Sequence, residues 1–284
     1  MAVFRRVWRG GGWCRFGVLA LVLALSFPAA AAIWHVKSDG DDGRDGQSWA
    51  QALASVQVAL SRAAVGDAVW IAGGEYEATE SRLLEPDAEW EWSFRLRDGV
   101  DIYGGFAGHE RSPAERALAA AHDGIPPCAW DYASATRLTI PDHAFGSVLK
   151  ADADAFTLRT VVDGVVLCGG MAFSSGLAGV GGGAQLPGNV VLRRSVVTGC
   201  MARYGGGVAM RGDSVLEQCL ICDNELLPDG WGAAGAGVYV IDDEGRVSNC
   251  LIRDNGVADR GVQEGGGIYL LGAGTVNHCT IVGN

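Results

Sequence analysis

Gly205-Gly206-Gly207-Val208-Ala209-Met210, Gly235-Ala236-Gly237-Val238-Tyr239-Val240 and Gly265-Gly266-Gly267-Ile268-Tyr269-Leu270 recur every 30 residues. Gly181-Gly182-Gly183-Ala184-Gln185-Leu186 lies 24 residues before the first of them. A second anchor keeps the same phase: Cys219-Leu220-Ile221-Cys222-Asp223-Asn224, Cys250-Leu251-Ile252-Arg253-Asp254-Asn255 and Cys279-Thr280-Ile281-Val282-Gly283-Asn284. Weaker copies start at Ser195 and Val165, so about five units occupy residues 165–284. Two independent anchors sharing one period mark a repeat architecture.

Within each unit, short alternating apolar runs such as Val238-Tyr239-Val240 are bounded by Gly, Asn and Asp, the pattern of strands rather than helices. Leucine-rich repeats need several Leu at fixed offsets, and propeller blades need ~40 residues or more. The units therefore predict an all-β solenoid, a right-handed single-stranded parallel β-helix in which equivalent residues stack ~4.8 Å apart in columns. Asn224, Asn255 and Asn284 then form an internal amide ladder at a turn that Asn tolerates. Cys219, Cys250 and Cys279, two residues before Ile221, Ile252 and Ile281, form a second, inward column of small apolar groups. Stacked Cβ atoms at ~4.8 Å, against the ~3.8 Å usual in disulfides, favour free thiols there.

Composition bounds the function. The chain has 284 residues, 49% hydrophobic and 19% charged, with 43 Gly. Arg5, Arg6, Arg9 and Arg15 precede an apolar run from Phe16 to Phe27 and a small-residue string ending at Ala32, which reads as a signal peptide over residues 1–32. Its removal leaves 18 basic against 33 acidic residues, a net charge of −15 that repels nucleic acid and anionic membrane. No later segment is apolar for long enough to span a bilayer. The expected address is outside the cytoplasm: extracellular, cell surface or periplasmic.

Upstream of the repeats, residues 33–164 read as an N-terminal cap and the first irregular coils. Trp49, Leu53, Val56 and Leu60 fall at helical spacing, predicting a helix over 48–64 with Ser48 as N-cap that covers the open end of the first coil. Ala68-Val69-Trp70-Ile71-Ala72-Gly73-Gly74-Glu75-Tyr76 is expected as the first strand and turn. These blocks, with Trp34-His35-Val36-Lys37, Asp98-Gly99-Val100-Asp101-Ile102-Tyr103-Gly104-Gly105-Phe106 and Val162-Asp163-Gly164-Val165, resemble exported bacterial right-handed β-helix proteins. That group is the pectate-lyase-like superfamily, in the branch near polymorphic outer-membrane proteins. The resemblance implies a β-helix scaffold with adhesin-like binding, in a superfamily that also hosts polysaccharide lyases and glycosidases.

Catalytic candidates are few. Asp223 and Asp254 stand at matching positions of adjacent coils, near the separation a glycosidase pair needs, but beside the ladder a turn Asp is expected anyway. The Asn-Thr-Asp, Gly-His-Gly and Arg-Ile-Lys marks of polygalacturonase-like enzymes are absent. Cys219-Leu220-Ile221-Cys222 matches C-x-x-C, yet residues three apart on a strand face opposite ways, so no metal site is expected. The Asp39 to Gly46 turn lacks the Glu of an EF-hand. No cofactor is expected. The expected function is a non-catalytic exported scaffold that binds surface glycans or proteins through loops such as 226–232 and 256–264, with a polysaccharide-degrading enzyme as the alternative. The unfinished coil at Asn284 suggests a truncated chain and self-association through its C-terminal edge.

Overall fold

The computed structural model describes residues 31–83, 90–173, 180–227, 232–242, 244–257 and 263–284. The signal-peptide reading therefore falls, but for Ala31 and Ala32, outside the described residues, as do Asp243 and parts of both expected display loops. The chain winds as a parallel β-helix with three main faces. Face I has eight strands in the order Ile33–Val36, Ala68–Ala72, Asp101–Phe106, Ala155–Asp163, Gly188–Arg193, Val215–Glu217, Arg246–Ser248 and Thr275–Asn277. Face II has seven, from Gly74–Glu77 to Thr280–Val282, and face III has six, from Phe94–Arg95 to Ile268–Leu270. A four-stranded ribbon turns the corner from face II towards face III, and each neighbouring pair in these sheets is parallel.

Alternation decides what the coil buries. Ile102, Val162, Leu192, Leu216 and Val247 share one register on face I and are all 0% exposed. Leu138, Leu167, Val197, Ile221 and Ile252 do the same on face II. Each such side chain contributes ~1.5–3 kcal/mol on leaving water, so a one-residue slip in register would forfeit a whole column.

Asn224, Asn255 and Asn284 are joined from coil to coil by side-chain amide hydrogen bonds. Asn224 Nδ2 donates to Val197 O at 3.0 Å and Asn255 Oδ1 at 2.9 Å, and Asn255 Nδ2 donates to Ile221 O at 3.0 Å and Asn284 Oδ1 at 2.7 Å. The backbone N–H of Asn224 and of Asn255 also donates to the next amide oxygen. Against it stands the third Gly of each triplet. A Cβ on Gly207 would lie 2.6 Å from Gly237 O and 3.0 Å from Asn224 Nδ2, so only Gly fits beside the ladder. In the preceding coil Cys200 occupies the ladder position and Ser195 the thiol position, following the pairing of Val196 with Leu220.

The thiol column is inward. Cys219 and Cys250 are buried and Cys279 partly so, all as free thiols. Each donates to the carbonyl two residues earlier at 3.2 Å: Glu217, Ser248 and Asn277. Burial raises the Cys219 thiol well above its ordinary value.

Two expectations upstream are corrected. The first strand is Ile33–Val36, paired with Ala68–Ala72, so the coil begins one strand earlier than expected. The α-helix spans only Val56–Arg62 and its N-cap is Ser55, whose Oγ accepts from Val58 N at 3.3 Å. Ser48 instead precedes a 3-10 turn, Trp49–Gln51, and makes no capping bond. Leu53 bridges Val36 like a strand residue, which breaks the helical register. The short helix still packs on the first strands of faces I and III, burying Val56, Ala59 and Leu60.

Candidate functional site

The outer side of face I carries the chemistry. Strand register stacks His35, Trp70, Tyr103, Asp163, Arg193, Glu217, Ser248 and Asn277 in one outward column across all eight strands. A second outward column runs beside it through Val161, Val191, Val215, Arg246 and Thr275.

The N-terminal half of this face is roofed. Trp70 stacks on Phe106 at 4.8 Å between ring centroids, and the buried His35 ring meets Trp49 edge-on at 4.7 Å. Trp49 Nε1 donates to Glu110 O at 2.8 Å, fastening the 3-10 turn to the excursion that leaves face I after Phe106. Glu110 itself accepts three backbone N–H bonds, from Ala107, Gly108 and His109, which hold its carboxyl below the ordinary range despite burial.

The roof ends at an ionic cluster. Asp163 is 0% exposed and accepts from three guanidiniums: Arg116 Nη2 at 3.0 Å, Arg193 Nε at 2.7 Å, and Arg194 through Nε and Nη2. Burial alone would raise the Asp163 pKa, but the Arg194 bond and the charges of Arg116, Arg194 and Arg193 hold it below the usual carboxylate value. Arg116 also donates to Gly104 O at 2.7 Å and Pro113 O at 2.8 Å and lies 4.6 Å from the Tyr132 ring centroid. Burial, with Asp101 beside it, pushes the Tyr103 hydroxyl up to about 12.

Beyond the cluster the face opens into a trough of about 490 Å³ across the strands from Ala155–Asp163 to Thr275–Asn277. Val191 and Val215 form its floor, and the rims are Arg159, Asn189 and Asp213 on one side and Glu217, Ser248 and Asn277 on the other, with Arg246 at the C-terminal end. Asp213 is engaged, since its Oδ1 accepts from Asn189 N at 2.6 Å, and Glu217 lies 4.0 Å from Arg193 Nη1. Among the described residues, the guanidiniums of Arg159 and Arg246 have neither an ion-pair nor a hydrogen-bond partner.

The candidates singled out from sequence lie elsewhere. Asp223 and Asp254 are exposed on the turn after face II, with φ of 56° and 55°, and Gly199 and Gly283 fill the same left-handed position in neighbouring coils. Their column is thus one of turn residues; Asp254 pairs with Arg253. Cys219 points inward while Cys222 sits on the opposite side of the strand, within 3.6 Å of Thr198 Oγ1, so the C-x-x-C sulfurs do not converge. In the Asp39 to Gly46 turn, Asp41, Asp42 and Asp45 each accept from nearby backbone N–H groups. Among the described residues, no group of three or more His, Cys, Asp or Glu side chains is placed to hold a metal.

Sequence reasoning missed the trough and the Asp163 cluster. The signal was present: Asp163 and Arg193 are one 30-residue period apart, each closing an apolar run, so the repeat itself puts the carboxylate beside the guanidinium. No family model matches this chain, and no curated protein matches it. Among solved structures it is similar to the crystal structure of pectate lyase Pel9A, with a TM-score of 0.48 and 12% identity over 81% of this chain. It spans 50% of that protein's length.

Proposed function

We propose that this chain is an exported, non-catalytic β-helix scaffold that holds a surface glycan or protein along the open trough of face I. The observation that carries this reading is the trough: an apolar floor between polar rims, on a continuous parallel sheet, with two guanidiniums that have no partner among the described residues. Several carboxylates near the trough or singled out from the sequence are already engaged by other groups. Asp163 is bound by three arginines, Asp213 by the Asn189 amide, and Asp223 and Asp254 occupy a turn column. A general acid or base has to be free to exchange its proton with a substrate. Export is supported by the leader-like residues 1–32 and by the acidic balance of the remainder. No described helix is long and apolar enough to cross a membrane.

The test is a panel of pectins, other uronates and neutral polysaccharides offered to the purified chain. Retention on immobilised polymer or on whole cells without new reducing ends or absorbance at 235 nm is the expected result. Turnover of any member of the panel would overturn the non-catalytic reading and favour a polysaccharide-degrading enzyme.

A further inference from the structure

The trough has features that select among macromolecules. Its lining holds no aromatic ring on which a pyranose face could stack, and its floor is aliphatic. Arg159 lies in the strand Ala155–Asp163 and Arg246 in Arg246–Ser248, three strand spacings away along the helix axis. That separation is ~14 Å, with a lateral offset that two long side chains can span. Both side chains are exposed and unpaired among the described residues. Between them lie Val191 and Val215 on the floor and the carboxylates of Asp213 and Glu217 on opposite rims.

An extended peptide rises ~3.3 Å per residue and shows every second side chain to one face, so its residues i, i+2 and i+4 look the same way and i and i+4 are ~13 Å apart. Acidic side chains at i and i+4 therefore match the two guanidiniums, and an aliphatic side chain at i+2 falls on the valine floor. Peptide N–H groups in the middle need acceptors, which Asp213 Oδ2, the oxygen not bonded to Asn189, and the Glu217 carboxylate supply; the same carboxylates exclude an acidic residue at the centre. Without residues 1–32 the chain carries a formal net charge of −15, so an acidic segment is favoured only locally, where unpaired cations such as Arg159 and Arg246 face it.

We propose that the face I trough is a docking surface for an extended segment of a partner protein with the pattern acidic-x-aliphatic-x-acidic. The inference rests on the scaffold reading above and names its partner class. The segment lies along the helix axis, bridging Arg159 and Arg246.

The test uses the purified full chain and a fluorescent, end-capped peptide Gly-Glu-Ser-Val-Ser-Glu-Gly, followed by anisotropy up to about 5 mM. Saturable binding is expected. Arg159→Gln and Arg246→Gln, both at exposed positions, should each weaken it about twofold to fivefold, as exposed ion pairs do, and the double variant about tenfold. A peptide with its two Glu adjacent, and one with Gln in place of Glu, should bind as weakly as the double variant. No saturation, equal affinity for both Glu spacings, or indifference to the double variant overturns the proposal. So does a polysaccharide that is retained by the chain and released by the double variant while the peptide fails; that outcome leaves the scaffold reading standing. Polysaccharide turnover without peptide binding would remove both.

Discussion

Replacing Asn255 by Asp changes one atom of the side chain and tests the ladder directly. Asn255 is 1% exposed, and its Nδ2 donates to Ile221 O at 3.0 Å, Arg253 O at 3.1 Å and Asn284 Oδ1 at 2.7 Å. Its Oδ1 accepts from Asn224 N and Nδ2. In Asn255→Asp the accepting half survives, but an ionised carboxylate confronts three oxygens with no proton to give. Losing both N–H donors and leaving a buried charge without compensation costs about 3–5 kcal/mol. For a chain of this size that corresponds to roughly 6–20 °C in melting temperature. Protonation restores one donor, so burial and the facing oxygens should raise the introduced carboxyl's pKa in the folded state. The folded variant then binds the proton more tightly than the unfolded chain, and its deficit should shrink as pH falls from 8 towards 5. Paired thermal melts of the two proteins across that range, followed by circular dichroism, read this out. A deficit below about 1 kcal/mol at pH 8, or one of equal size at both ends of the range, would refute the claim that the ladder's donors hold the coil.

Asp163 should behave with the opposite sign: its folded pKa is held below the unfolded value, so its stabilisation is present above about pH 4 and lost as pH falls through the folded value. Asp163→Asn should lose this acid-dependent component and cost about 3–5 kcal/mol by stranding Arg116, measured by fluorescence of the Trp49 and Trp70 cluster in urea. Ellman's reagent should label the exposed Cys128 in the native chain but Cys200, Cys219 and Cys250 only after denaturation; burial pushes the Cys200 thiol up to about 12. Gly207→Ala should destabilise by at least ~2 kcal/mol in the same melts, because the new methyl meets backbone rather than a movable side chain.

The sequence made the coils legible because the period carries the register. Once Ile221 and Ile252 are aligned, the inward faces, the Asn column and the Cys column follow without further information. The N-terminal cap was harder. Trp49 and Leu53 have helical spacing, but their partners are remote: Trp49 bonds Glu110, and Leu53 joins Val36. Tertiary pairing overrode local pattern, and the helix starts only at Val56. The strand Ile33–Val36 is four residues long and abuts the leader-like segment, so it offers no period of its own. The trough could be read only from columns on the outward side, where Val191 and Val215 give way to Arg246 and no motif links them.

The corner between the four-stranded ribbon and face III has a further consequence. Along the chain, the step from Ala172 to Ala184 is twelve residues, from Ala202 to Val208 six, from Leu226 to Val238 twelve, and from Val257 to Ile268 eleven. The strands before and after keep their partners throughout, so length variation is absorbed there, with a single extra residue elsewhere. That corner acts as an insertion port. Lengthening a loop twofold costs only about 0.6 kcal/mol of closure entropy, far less than one mismatched column. New recognition segments can therefore be spliced in coil by coil, at one edge of the molecule, without renegotiating its interior.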